Sequence, residues 1–103
     1  MAINLEFVSY REIIDFIQNE KDLLFTETLN EIKNSINNNE KIANVANLMV
    51  NDNVITINVE KSDWSSHLNF SIAYFERIED YETCIEINNI LKGLWPNPNL
   101  FYG

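Results

Sequence analysis

The chain has 103 residues, of which 16 are Asp or Glu and 7 are Lys or Arg, giving a formal net charge of -9. A field of this sign repels nucleic acid phosphates and anionic lipid, and it attracts basic protein surfaces. The charge therefore argues against direct binding to nucleic acid or to a membrane, although a net charge of this kind also keeps a small domain soluble.

The composition indicates that this acidity was maintained. The 17 Asn and 14 Ile residues are typical of an AT-rich genome, which should also favour Lys codons, yet the chain has only five Lys. The length predicts one domain, which we place at residues 1–93. A single cysteine, Cys84, cannot form an internal disulfide, and no signal-peptide pattern or membrane-length apolar run is present. A cytoplasmic location is expected.

Apolar alternation at Ile3, Leu5 and Phe7 predicts a short strand at the N-terminus. Ser9 and Glu12 then form a capping-box pattern, in which each side chain can satisfy an exposed backbone N–H at a helix start. We predict a helix over residues 9–19. Its apolar face would carry Tyr10, Ile13, Phe16 and Ile17.

A second amphipathic helix is predicted over residues 23–37, with Asp22 as its N-cap. Its apolar stripe consists of Phe25, Leu29, Ile32 and Ile36. The run Asn37-Asn38-Asn39 ends it, because Asn tolerates the left-handed conformation that closes helices. The simplest interpretation of this run is an ordinary loop.

The periodicity changes to that of strands between Val45 and Glu60. Ile55, Ile57 and Val59 alternate with polar residues, and Asn51-Asp52-Asn53 supplies turn residues that accept positive φ. We predict a β-hairpin here. Two strands alone are only marginally stable in water, so helices, an added N-terminal strand or another protein must cover the apolar face.

Helical spacing returns after Ser62, with Asp63 or Ser65 as a cap and Trp64 at the edge of the core. Leu68, Ile72 and Phe75 form the stripe of this third helix. Asp80 can cap a fourth helix, in which helical spacings of three and four residues relate Tyr81, Cys84, Ile85, Asn88 and Leu91. Gly93 would end this helix, and Pro96 would prevent its continuation. The predicted fold is α+β, with about four helices packed on a β-hairpin or three-stranded sheet and a C-terminal helical hairpin.

Residues 68–94 resemble the UVR-type helical hairpins of excision-repair subunits and some kinase activators. The matching residues are the turn Asp80-Tyr81-Glu82, Cys84, and the apolar Ile87, Ile90 and Leu94. The Arg-Asp pair typical of the family's second helix is absent, and Asn88-Asn89 stand in that region. The resemblance implies a hairpin that mediates protein pairing, and it implies no repair function.

The inventory for catalysis is small. Asp63, Ser65, Ser66 and His67 are the residue types of a hydrolase triad, but close neighbours on a helix point in different directions and do not converge. Cys84 and His67 lie 17 positions apart without the further ligands that a zinc site needs. Phosphate-binding loops need glycine, and none precedes Gly93. We therefore predict a protein that is not an enzyme and has no metal or cofactor.

Two segments are candidates for binding a partner. The eleven residues from 76 to 86 contain one base, Arg77, and five acids, Glu76, Glu79, Asp80, Glu82 and Glu86. They either complement the dipole at a helix start or form a contact surface for a basic partner. The C-terminal tail, residues 94–103, is extended around its prolines and carries Trp95, Phe101 and Tyr102. It either folds back on the core or anchors a partner.

These features predict a non-enzymatic protein-binding module of a bacterium or its phage. More specifically, we predict that the module binds a basic surface of a nucleic-acid-handling protein and inhibits or modulates that protein, as anti-defence proteins do. The alternative is a structural or assembly subunit of a virion or a homo-oligomer, in which apolar strands and the aromatic tail pack against neighbours.

Overall fold

A computed structural model of the chain describes residues 2–94. Its elements are β1 (Ile3–Phe7), α1 (Tyr10–Asn19), α2 (Lys21–Asn37), β2 (Ile42–Val50), β3 (Asn53–Glu60), α3 (Trp64–Arg77) and α4 (Tyr81–Leu94), with a short 3-10 turn at Lys61–Asp63 before α3. The predicted fold class is confirmed: four helices accompany a three-stranded sheet, and α3 and α4 form a hairpin. The chain divides into two compact units, Met1–Lys61 and a second that begins at Ser62. A single domain over residues 1–93 stays a prediction.

The sheet of the first unit has the order β1-β2-β3 and is mixed. β2 and β3 are the predicted antiparallel hairpin, joined by a two-residue turn in which Asn51 has φ of 55°. The N-terminal strand joins the other edge of β2 in the parallel direction. Parallel strands need a crossover connection, and α1 and α2 supply it by carrying the chain back to the starting end of β1 before β2 begins.

One face of the sheet is apolar and the other is polar. Leu48 at the centre of β2 pairs with Leu5 on one side and Ile55 on the other, and α2 packs on β2. On the opposite face the Asn47 amide donates to Asn4 Oδ1 at 2.9 Å, and the Thr56 hydroxyl donates to Asn47 Oδ1 at 3.2 Å. The buried Leu48 and Val50 of β2 therefore lie on the face that α2 covers, and the side chains of Asn4, Asn47 and Thr56 link the three strands on the exposed face.

A register irregularity in β2 falls between Asn44 and Ala46. It leaves Val45 unpaired, and both Val45 and Ala46 are completely buried although they are adjacent in the sequence. Such a bulge shifts the alternation of the strand by one residue. This bulge explains why β2 does not alternate cleanly in sequence.

The predicted cap of α1 is confirmed. Ser9 has extended backbone dihedral angles, and its hydroxyl accepts the N–H of Glu12 at 3.4 Å. The Glu12 carboxylate accepts the N–H of Val8 at 2.7 Å, one residue earlier than a standard capping box requires. The predicted apolar face was only partly right, because Ile13 is buried and Phe16 half-buried while Tyr10 and Ile17 are exposed.

The predicted start of α2 at residue 23 was wrong. Glu20 ends α1 by donating its N–H to the Phe16 carbonyl, and its own carbonyl accepts the N–H of Leu24, so one residue joins the two helices. Asp22 therefore lies in the first turn of α2, where its charge favours the helix dipole, and it is not the N-cap. At the other end Asn39 is left-handed with φ of 57°, which confirms the predicted role of the Asn run.

The second unit contains α3 and α4. Asp63 occupies the cap position of α3 but makes no side-chain cap hydrogen bond there. Trp64 is completely buried and is a core residue, in contrast to the predicted position at the edge of the core. Leu68 and Phe75 of α3 are buried, as are Cys84, Ile87 and Leu91 of α4.

The predicted end of α4 was too early. Gly93 lies inside the helix, which includes Leu94, so residue 94 belongs to α4 and not to the tail. A Cβ built at Gly93 would meet nothing within 4 Å, so this glycine is not required by close packing. The rest of the predicted tail, with Trp95, Phe101 and Tyr102, lies outside the described residues.

Candidate interaction surface

The turn between α3 and α4 is built by backbone hydrogen bonds that close the first helix. Glu79 is left-handed with φ of 62°, and its N–H donates to the Glu76 carbonyl at 3.0 Å. The next N–H, from Asp80, donates to the Phe75 carbonyl at 2.8 Å. Together these two bonds make a Schellman motif, which usually has glycine at the left-handed position. The chain here uses a glutamate, which faces solvent.

Asp80 caps the second helix, as the sequence predicted. Its Oδ1 accepts the N–H of Thr83 at 3.2 Å, and its Oδ2 accepts the Thr83 hydroxyl at 2.7 Å. The side chain is half-buried. Both carboxylate oxygens therefore have partners within the chain, and Asp80 serves the turn itself.

The other four acids predicted as a contact surface are all exposed. Glu76 lies in the last turn of α3, Glu79 in the connecting turn, and Glu82 and Glu86 in the first half of α4. The structure thus brings the four side chains to one end of the hairpin. Since Glu82 and Glu86 are four residues apart, they lie on the same side of α4.

Sequence reasoning missed a row of exposed apolar residues beside these acids. Helical spacing groups Tyr81 and Ile85 with the buried Cys84 and Leu91, but in the structure Tyr81 is 59% exposed and Ile85 is 62% exposed. Ile78 in the turn is 48% exposed. We call Ile78, Tyr81 and Ile85, together with Glu79, Glu82 and Glu86, the hairpin stripe. The sequence signal was there: each apolar residue is followed at once by a Glu, and the pairs recur at steps of three and four.

Cys84 lies on the opposite, buried side of α4. Its thiol contacts the carbonyl of Ile72, with Sγ 3.7 Å from the oxygen. Burial raises the pKa of this thiol, and the nearby charges of Glu76 and Asp80 raise it further. The thiolate is the reactive form of cysteine, so this environment disfavours nucleophilic chemistry.

The hydrolase-type residues do not converge. Ser65 and His67 lie in the first turns of α3, where their carbonyls accept hydrogen bonds from the Asn69 amide and the Ser71 hydroxyl. Within residues 2–94, no hydrogen bond joins the side chains of Asp63, Ser65 and His67. In the same range, no group of three or more His, Cys, Asp or Glu residues is placed to hold a metal ion. None of the described helices combines the length and apolarity needed to cross a bilayer.

A depression of the first unit lies at the end of the sheet beside the β2–β3 turn. It is open and lined by Glu6, Phe7, Met49, Asn51, Asp52, Asn53 and Val54. The Asn53 amide donates to the Tyr10 hydroxyl at 3.0 Å near this end. Among the described residues, none of the acids predicted as a contact surface lines this depression.

No protein-family model matches the sequence, and comparisons with curated proteins and with solved structures gave no significant match.

Proposed function

We propose that this protein is a non-enzymatic interaction module that engages a basic surface on a partner protein. The observation that carries the proposal is the exposure of Glu76, Glu79, Glu82 and Glu86 at one end of a helical hairpin, in a chain of net charge -9. Carboxylates grouped in this way create a local negative potential, which accelerates encounter with a basic protein and disfavours nucleic acid.

The partner we propose is a nucleic-acid-handling protein, which the module inhibits or modulates. Proteins of that class present basic surfaces to bind phosphates, so an acidic module can compete for the same surface. An origin in a bacterium or its phage and a cytoplasmic location belong to this proposal. The acids at the hairpin end are its proposed contact residues, and Trp95, Phe101 and Tyr102 are its proposed anchors in the tail.

Capture from the native host tests the proposal. The tagged chain is mixed with lysate at about 50 mM and about 500 mM salt, and bound proteins are identified by mass spectrometry. We expect a basic, nucleic-acid-binding protein that is retained at low salt and reduced at high salt. Absence of any such protein, or binding that is equally strong at both salt concentrations, would contradict the electrostatic mechanism.

A truncated chain ending at Leu94 tests the tail. The cut keeps α4 whole, so the described fold should survive. Loss of the partner with unchanged circular dichroism would give the tail an anchoring role, and full retention would remove Trp95, Phe101 and Tyr102 from the proposed site.

A structural or assembly role is the second candidate, and a surface of the first unit favours it. Tyr10, Ile14 and Ile17 of α1 are exposed at steps of four and three, and Val8 beside them is also exposed. Such a row suits burial against another copy. The mass of the protein in solution distinguishes the two roles: a closed oligomer that persists at high salt supports assembly, and a monomer supports the binding module.

A further inference from the structure

The hairpin stripe combines two kinds of surface that a solubilising charge cluster does not need. Its apolar row exposes Ile78, Tyr81 and Ile85, each by about half or more of its surface. Its acidic row, Glu79, Glu82 and Glu86, follows the apolar row one residue later throughout. Within α4 both rows advance by four residues, so they run side by side along the helix.

We infer that the hairpin stripe is a docking surface for a basic amphipathic helix of the partner protein, an inference that rests on the proposed function. The apolar row has the spacing with which one helix packs against another. The acidic row beside it supplies charge complementarity to Lys or Arg in a row adjacent to the apolar residues of the incoming helix. A second copy of this chain suits the stripe poorly, because it would bring further negative charge against the acidic row.

The two rows have different energetic roles. Burying Tyr81 and Ile85 removes apolar surface from water, which slows dissociation and depends little on salt. The carboxylates at the solvent-exposed margin mainly raise the association rate, and salt screens their effect. Tyrosine is also among the residues that most often dominate binding energy at interfaces.

Two substitutions in the first unit provide matched controls. Ile14→Ser corresponds to Ile85→Ser, because both isoleucines lie inside helices and are 54% and 62% exposed. Glu60→Gln corresponds to Glu82→Gln, because each removes one exposed negative charge and changes the net charge of the chain by the same amount. Comparison within each pair separates the stripe from general effects of hydrophobicity and charge.

The probe is a synthetic helical peptide of about 18 residues with Leu at alternating steps of three and four and Lys or Arg in the adjacent row. A peptide of the same composition in scrambled order is the control. Binding to the isotope-labelled full chain is followed by amide chemical shifts, and Kd is measured at about 50 mM and about 500 mM salt.

We expect the largest shift changes between residues 78 and 86, and weaker binding of the scrambled peptide. Tyr81→Ser and Ile85→Ser should each raise Kd roughly tenfold at both salt concentrations. Glu82→Gln should raise Kd a few fold at low salt and have little effect at high salt. Ile14→Ser and Glu60→Gln should leave Kd within about twofold of the unaltered chain.

Shift changes centred elsewhere, equal binding of the two peptides, or equal effects of Ile85→Ser and Ile14→Ser would overturn the docking surface. The host capture described above keeps this result apart from the proposed function. If the unaltered chain and Ile85→Ser capture a basic partner equally, the hairpin stripe is not its docking surface, but the proposed function still holds. Failure of the unaltered chain to capture any basic protein removes the proposed function itself.

Discussion

Replacing Asp80 with alanine should destabilise the second unit through the turn between α3 and α4. The substitution removes the acceptor for the Thr83 N–H at 3.2 Å and for the Thr83 hydroxyl at 2.7 Å. Loss of an N-cap acceptor costs about 1 kcal/mol, and a half-buried hydrogen bond to a carboxylate adds about as much. We therefore expect the free energy of unfolding to fall by about 1.5 to 2.5 kcal/mol.

Asp80→Asn is the matched control, because an asparagine oxygen can still accept the Thr83 N–H and its amide can donate to the hydroxyl. We expect it to cost less than about 1 kcal/mol. Urea unfolding followed by far-UV circular dichroism measures both variants, with an unchanged m-value as the sign that only stability has altered. A cycle with Thr83→Ala isolates the interaction between the two side chains.

Equal stability of Asp80→Ala and the unaltered chain would refute the capping argument. Equal losses in Asp80→Ala and Asp80→Asn would show that the charge, and not the cap geometry, supports the turn. The first of these results would leave the Asp80 carboxylate available to a partner, and the second would keep it as a part of the turn.

Four further outcomes are expected. Glu79→Gly should stabilise the chain by up to about 1 kcal/mol in urea unfolding, because Glu79 is left-handed and glycine adopts this conformation without strain. Asn39→Gly should change stability little, since Asn tolerates the same conformation, and a loss of stability in Glu79→Gly would argue against the Schellman turn. Gly93→Ala should add about 0.5 to 1 kcal/mol, because the position is helical and a Cβ has open space; no gain would place Gly93 outside a stable helix. Because burial raises the Cys84 pKa, the folded form keeps the thiol proton at a pH where the unfolded form loses it, so stability falls as the pH rises above about 9. The decline in the free energy of unfolding between about pH 8 and 10 should be shallower in Cys84→Ala, and parallel stability curves for the two proteins would exclude this linkage. Leu48→Ala should cost about 2 to 5 kcal/mol because the side chain is fully buried, whereas Val54→Ala on the other face should cost less than about 1; similar losses would contradict the assignment of the two faces.

Local signals in the sequence were sufficient where one residue and its near neighbours decide the conformation. Ser9 caps α1, Asn39 closes α2 and Asp80 caps α4, as their side chains predicted. The turn at Asn51 likewise follows from a residue that accepts positive φ. Interactions over one to five residues suffice for such features, so the sequence could reveal them.

The boundaries that failed depended on neighbouring elements. α2 starts before Asp22 because Glu20 closes α1 and begins the next helix at once. α4 continues through Gly93, since a glycine weakens a helix without ending it and no left-handed turn forms there. Trp64 is completely buried, and the spacing of apolar residues along α3 does not show how deeply a residue at the helix start is covered.

The candidate surface was predicted in its charges and missed in its apolar half. Tyr81 and Ile85 fit helical spacing as well as Cys84, Ile87 and Leu91 do, so α4 has two apolar sides in sequence. A helix can turn only one of them toward the α3 side, and the contact between Cys84 and the Ile72 carbonyl marks the side that was buried.

The sequence alone determined the element types, the caps and turns, and the acidity of the hairpin end, because these depend on covalent neighbours and on charge that is present in any conformation. Only the tertiary structure decided that β1 pairs in parallel with β2, that Val45 bulges, and that Ile78, Tyr81 and Ile85 face water. The physical reason is that burial belongs to pairs of surfaces. A stripe of apolar residues specifies that a side chain can be buried, and its packing partner determines whether it is.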